Sequence, residues 1–310
     1  MGYNRRHFIG NSLAVTTALL LPALNLFGSS GPVSDQPEKG FALKIMAPYW
    51  GFDGSITDFC KKAKNDGYDG IEILWPSDHI RQKELFTALK EYQLAAGFLC
   101  RGDEPIPEHN FMTFKKVIAE ATANKYQQPL YINVHSGRDF FTYEQNKQFI
   151  DFTVQYSKKT GVPVYHETHR SRMLYSAPAA LPYLQRNPEL RLTLDISHWC
   201  NVSESLLEDQ PATVELAISR TDHVHSRVGH AEGPQVSDPR APEWKAEVAA
   251  HFAWWDKVVA LKKKQGKMLT MLTEFGPPSY MPTIPFTNRP VADQWEINVY
   301  MMNAWKKRYL

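Results

Sequence analysis

Four side chains with an appetite for metal ions lie far apart in the sequence but in matching places. They are Glu167 in VPVYHETH, Asp195 in LRLTLDISH, His225 in DHVHSR and Glu274 in MLTMLTEFG. Each ends a short apolar run of the kind that forms a buried strand. Three carboxylates and one imidazole offer three hard oxygen donors and one borderline nitrogen. That set suits Mn2+ best, with Mg2+, Co2+ and Zn2+ as alternatives, and the lack of cysteine among the donors argues against a structural zinc. A carboxylate after a strand is, taken singly, more often a helix cap or an ion-pair partner. Four residues of the right types on four successive strand ends point instead to one divalent ion. His223 and His225 are two apart and share a facing, so the residue nearer the strand end, His225, is expected to reach the ion, with His223 deeper in the core.

The elements that must position these groups repeat from residue 41 onward. Strands are predicted near 44–49, 70–75, 94–100, 129–135, 163–168, 191–195, 221–225 and 268–274. Helical patterns lie between or after them near 55–66, 79–92, 108–125, 144–159, 174–186, 202–219, 244–265 and 291–308. Eight strand-helix units in one chain predict a single (β/α)8 TIM barrel, in which every strand ends at the same face, so the four donors converge. The doubly wound alternative would want a glycine-rich phosphate loop after the first strand. Pro48-Tyr49-Trp50-Gly51-Phe52 stands there instead.

Composition agrees with one globular catalytic domain at 41–310: the chain has 310 residues, 43% of them hydrophobic and 22% charged. Residues 1–30 differ. Twin arginines, Arg5 and Arg6, precede an apolar stretch from Ser12 to Phe27 and a small-residue segment, Gly28 to Gly31, which together resemble a twin-arginine export signal. The apolar stretch is short for a membrane anchor and contains Pro22. A signal at 1–30, a linker at 31–40 and a periplasmic or secreted product free of the membrane are therefore expected. Loss of residues 1–30 leaves 33 basic and 33 acidic side chains. Such a balance argues against a nucleic-acid partner, whose phosphates call for a basic face, and favours a small substrate. An oligomeric assembly is compatible with this reading. Cys60, Cys100 and Cys200 have no paired spacing and are read as free thiols, one disulfide being the alternative.

At this point the motifs become specific. GYDGIEI at 67–73, VHSG at 134–137, the Glu of HETH at 167, LDISH at 194–198, HVH at 223–225 and TEFG at 273–276 resemble the xylose isomerase-like sugar phosphate isomerase/epimerase superfamily, close in pattern to ketose 3-epimerases and hydroxypyruvate isomerases. The resemblance implies that Glu167, Asp195, His225 and Glu274 bind one ion, that Glu167 and Glu274 also form a base/acid pair on opposite faces of a sugar, and that His198 contacts the substrate. Chemically, an ion that chelates a carbonyl and its neighbouring hydroxyl acidifies the adjacent C–H and stabilises an enediolate. Glu72, His135 and His169 are expected at or near the mouth, and Trp50, Trp75 and Trp199, each just after a strand, could stack on a sugar face. No organic cofactor is implied.

The chain also departs from the family. The resemblance would place an arginine six residues after the metal histidine, where Ala231 stands; Arg227 or His230 is the available substitute. The irregular segment from Arg227 to Glu243 is read as a lid or substrate clamp. An exported enzyme meets few sugar phosphates, so a free sugar, keto-sugar or glycoside is expected. Three competing readings share the sequence: a lyase that expels the aglycone of a 3-keto-glycoside from the same site, an endonuclease for abasic DNA, and a sugar-binding barrel without activity.

Overall fold

The computed structural model describes residues 40–310; the expected export segment and nearly all of the linker lie outside the described residues. The strands are β1 (Ala42–Pro48), β2 (Gly70–Leu74), β3 (Ala95–Arg101), β4 (Tyr131–His135), β5 (Val164–Glu167), β6 (Leu192–Leu194), β7 (Thr221–His225) and β8 (Met268–Leu272). They pair in parallel and in sequence order, and β8 returns to β1 through Ala42↔Met268 to Met46↔Leu272, closing an eight-stranded barrel. The expected (β/α)8 architecture is thus the observed one, and no helix among the described residues is long and apolar enough to cross a membrane.

The strands read as near-continuous buried runs because one face points into the barrel and the other is covered by helices. The helices are α1 (Ile56–Asp66), α2 (His79–Tyr92), α3 (Pro107–Thr122), α4 (Tyr143–Thr160), α5 (Ala177–Arg186), α6 (Ser197–Val202), α7 (Pro211–Arg220), α8 (Lys245–Gln265) and α9 (Gln294–Tyr309). Their ends follow local chemistry. The Ser55 side chain accepts from Asp58 N at the start of α1, and Thr142 with Gln145 forms a capping box on α4. The large core between sheet and helices includes Phe59, Phe98, Phe114, Phe149, Trp255 and Trp305, all fully buried.

Two local expectations change. The helix expected at 202–219 begins only at Pro211, as α7; the proline's missing N–H is harmless at a helix start, and the short α6 precedes it, starting two residues after Asp195. Between them Glu204 and Leu207 take left-handed backbone angles that no helix allows. A small hairpin, β9 (Thr283–Ile284) with β10 (Arg289–Pro290), lies in the connection between β8 and α9 and was not foreseen. Cys60, Cys100 and Cys200 are buried and unpaired, as the spacing suggested.

The segment after His225, expected as a lid or substrate clamp, is anchored to the barrel at several points. Val228 and Val236 are fully buried and joined by a backbone hydrogen bond of 2.9 Å, and the Gln235 side chain ties both N–H and C=O of Gly276. Gly229 comes so close to the backbone of Ser197 that a Cβ there would sit 2.7 Å from its carbonyl oxygen. His251 of α8 fixes the same segment: its Nε2 accepts from Gly229 N (3.1 Å) while its Nδ1–H donates to Glu247 O (2.8 Å).

That arrangement requires a neutral imidazole, and burial pushes the His251 pKa down to about 4. Between there and about 6.5 the unfolded chain takes up a proton that the native state refuses. Native stability is therefore complete above about pH 6.5 and is lost as pH falls toward 4, at up to about 1.4 kcal/mol per pH unit. Urea denaturation at pH 7, 5.5 and 4.5 should show a shallower acid slope in His251→Gln than in the parent. Equal slopes would remove His251 from this role.

Candidate metal centre

The four donors meet at the C-terminal rim. Glu167 ends β5, His225 ends β7, Asp195 follows β6 directly, and Glu274 lies two residues beyond β8. One ligand atom from each lies within 4.8 Å of all the others, and all four residues are buried. Glu274 holds its position with φ of +48°, a left-handed angle that costs a residue other than glycine roughly 1–3 kcal/mol and tends to occur where function demands it.

Hydrogen bonding leaves these groups incomplete on the side where they face one another. Glu167 Oε1, His225 Nδ1 and Glu274 Oε2 are buried without a hydrogen-bond partner. His225 Nδ1 approaches Glu274 Oε2 to 2.5 Å and Glu167 Oε1 to 3.6 Å without the alignment of a hydrogen bond. Buried polar atoms are normally satisfied. Donor atoms from four strand ends, three of the residues with an unsatisfied one, are pooled within one coordination sphere, which is what a divalent cation would complete.

The local field agrees. Burial opposes charge on His225, yet the Glu274, Glu167 and Glu72 carboxylates outweigh it and push its pKa well above the ordinary value. Asp195 is pushed up to about 7, by burial first and then by Glu274 and Glu167, with Arg227 pulling the other way. This cluster holds more negative charge than it can comfortably bury, and a 2+ ion relieves it. The donor set therefore fits the group that the sequence implied.

A deeper layer aims the upper one. Glu72, expected at the mouth, sits mid-strand in β2 with no exposed surface and is a positioning group rather than a cavity wall. Its carboxylate accepts from Tyr131 Oη (2.7 Å), Asn133 Nδ2 (3.1 Å) and His223 Nε2 (3.1 Å), and it lies 3.5 Å from His225 Nε2. Burial alone would raise the Glu72 pKa, but His225 and His223 hold it well below the usual carboxylate range. His223 lies deeper than His225, as the two-residue spacing indicated, with its Nδ1 2.7 Å from Thr270 Oγ1. A carboxylate behind a ligating histidine fixes the ring's orientation.

Above the four donors lies a cavity of about 420 Å3, a size that suits a small ligand, walled in part by Trp50, His135, His169, Arg227 and Tyr280. His135, the last residue of β4, reaches Glu167 Oε2 through Nε2 at 3.0 Å. His169 packs on the rings of His135 and His198. Arg227 is 2% exposed; its Nη2 contacts Asp195 Oδ2 and lies 2.9 Å from His198 Nε2, and its guanidinium stacks on Tyr280 at 4.3 Å.

Other expected contacts fall elsewhere. His198 is wholly buried behind Arg227 and does not wall the cavity. Trp199 belongs to the core, its indole N–H donated to Leu174 O (2.9 Å), because α6 begins at once and turns that side chain inward. Trp75 packs edge-on against Phe98 on the helix side of the sheet. His230 is folded back onto Trp244 and paired with Gly233, away from the cavity. Among the wall residues not singled out from sequence, three carry polar groups: Arg101, Arg172 and Tyr280. Asn133, beneath Glu167 and 2.7 Å from its Oε2, was also missed, although its parity with His135 on β4 marks the same inward face.

The fold and the centre define a class: a closed parallel barrel with a carboxylate-rich, histidine-containing donor cluster, able to hold a metal, at its C-terminal mouth. Solved structures share the fold. A 3-keto-D-glucoside 4-epimerase from E. coli in its apo form aligns with a TM-score of 0.56 at 18% identity, over 86% of this chain and 100% of that one. The probable 3-DHS dehydratase of petrobactin synthesis from Bacillus anthracis aligns at 0.52 and 15%, over 86% and 100%. An AP endonuclease of family 2 from Brucella melitensis aligns at 0.56 and 14%, over 84% and 98%. At these identities the likeness is one of fold, and it agrees with the superfamily that the motifs resemble. No protein-family model and no curated protein sequence matches the chain.

Proposed function

We propose that the protein is a divalent-metal-dependent sugar isomerase or epimerase that abstracts a proton next to a carbonyl. The observation that carries this reading is the convergence of Glu167, Asp195, His225 and Glu274, three of them with unpartnered donor atoms, under a small-molecule cavity. Mn2+ suits the donor set best; when bound, such an ion would polarise a carbonyl and stabilise the negative charge that develops on it.

The chain's own residues supply the rest. Glu274 receives no hydrogen bond from a neighbouring side chain or amide and stands in the cavity wall, so it is the group best placed to take a proton. Glu167, in the same wall, would act from the other side of the substrate; Asn133 and His135 hold its Oε2. Asp195 and His225 hold the ion without moving a proton. Arg227, Trp50, His135 and His169 would orient the substrate. Export by the N-terminal segment to the periplasm or beyond is part of this proposal and favours a substrate without a phosphate ester.

Two solved neighbours with this fold are titled an epimerase of a keto-glucoside and a dehydratase, so a lyase that expels an aglycone after the same proton abstraction is the second reading. Metal analysis followed by deuterium incorporation from D2O into sugars and oxidised glycosides tests the first. Release of aglycone from a 3-keto-glycoside selects the second. A barrel that holds metal yet exchanges no proton in any such compound would be a binding module, and the enzymatic reading would fall.

A further inference from the structure

Most of the cavity's charge is accounted for by the four donors. Three carboxylates there would be matched by a divalent ion together with Arg227, which would leave the inner end close to neutral. The outer end is not neutral. Arg101 closes β3 directly beside His135 in the β3–β4 register, and Arg172 approaches it from the connection after β5. Both guanidinium groups lean on one carboxylate: Arg101 Nε lies 2.8 Å from Asp103 Oδ2, and Arg172 Nη2 2.9 Å from Asp103 Oδ1. Arg138 adds a third cation nearby, with Nη1 on the carbonyl of Asp103 at 3.3 Å. The other acid in this stretch, Glu104, is occupied by Thr113 and by the Asp103 amide.

Arg172 is built in rather than waving at the surface. Its side chain is 8% exposed, Nη1 donates to Gly102 O at 3.1 Å, and its Nε–H is buried with no partner. Arg101 spends only its Nε on Asp103, which leaves both Nη groups for a ligand. Beside them His135 Nε2 lies 3.0 Å from Glu167 Oε2, and its Nδ1 is buried without a partner. A fixed cationic pair next to an unpartnered ring nitrogen matches a group that carries an oxyanion and a hydroxyl close together.

We infer that the substrate is a sugar acid, a polyhydroxy carboxylate whose carboxylate docks on Arg101 and Arg172 and one of whose nearby hydroxyls bonds to His135 Nδ1, while its reacting carbon faces Glu274. The inference rests on the reading of the four donors as the reacting end, and it adds the class of substrate. Arg–carboxylate pairing in a walled site discriminates against a neutral analogue, whose hydroxymethyl leaves the two guanidinium groups with Asp103 alone between them.

The test is calorimetric binding to the metal-loaded full-length protein of matched pairs: D-glucuronate against D-glucose, D-galacturonate against D-galactose, and each uronate against its methyl ester. Inorganic phosphate and sulfate serve as anion controls. The expected result is a preference of about tenfold or more for at least one uronate over its neutral partners, cut to within about threefold by Arg101→Gln and by Arg172→Gln. Arg101→Gln changes a half-exposed residue, so it still reports if Arg172→Gln does not fold. Equal binding of acid and neutral forms, no binding of any uronate, or a preference untouched by Arg101→Gln overturns the inference; the last outcome would put the carboxylate on the ion instead. Tighter binding of phosphate or sulfate than of every uronate overturns the carboxylate assignment. A uronate preference in a protein that exchanges no substrate proton would leave this subsite standing and remove the proton-transfer reading, so the two failures are distinct.

Discussion

Glu274→Gln should lower deuterium exchange from solvent into substrate by between about a hundredfold and ten-thousandfold, the range for loss of a positioned proton acceptor, equivalent to roughly 3–5 kcal/mol of barrier. The two glutamates differ in what they are free to do. Asn133 and His135 both bind Glu167 Oε2, and although burial opposes its charge, His135 and His225 hold the Glu167 pKa well below the ordinary carboxylate value. A carboxylate so well stabilised is a weak base. Glu274 takes no such bonds and stands in the cavity wall. Glu274→Gln should therefore sit at the upper end of the range and Glu167→Gln lower in it, both retaining part of their metal. The check is single-turnover exchange in D2O normalised to metal content. Glu274→Gln exchanging within tenfold of the parent, with its metal bound, would refute the assignment.

The barrel and the rim donors were legible in sequence for one physical reason. Strands of a parallel barrel are buried on both faces, so they stand out as apolar runs, and every run ends at the same rim. A polar residue that closes such a run is placed by position alone, which is why Glu167, Asp195, His225 and Glu274 assemble as their order implied. Depth was harder to read. Glu72 has the inward parity of a rim residue, yet Leu74 follows it on the same strand, so Glu72 lies one layer down under the donors. Trp199 follows a strand but opens a helix that turns it into the core, and no periodicity announces a six-residue helix. The segment 227–243, rich in glycine and proline, reads only as a lid or clamp because its anchors, His251 and Gly276, are distant in sequence. Arg101, Arg172 and Tyr280 are set by long-range packing, a signal that a single sequence lacks.

Chelator-treated protein should gain thermal stability on addition of Mn2+ and lose it again with excess chelator. An ion held only by the native state stabilises it by about 4 kcal/mol at a thousand times its dissociation constant. At roughly 2–4 °C per kcal/mol for a domain somewhat smaller than this barrel, the expected rise in Tm is on the order of 10 °C. The stabilisation is large because the ion relieves a specific conflict: burial and two neighbouring glutamates already push Asp195 up to about 7, so at neutral pH part of its charge is being resisted by the fold. Glu72→Gln provides the internal control. It removes the carboxylate behind His225 without touching a donor, and loss of such a second carboxylate typically weakens metal binding about tenfold to a hundredfold. The Mn2+ titration midpoint should move by that factor, while the Tm reached at saturation falls less. If Mn2+, Mg2+, Co2+ and Zn2+ at millimolar concentration all leave Tm unchanged, the four strand ends do not hold an ion, and Glu167 and Glu274 must be explained as a buried charge cluster balanced by His225 and Arg227 alone.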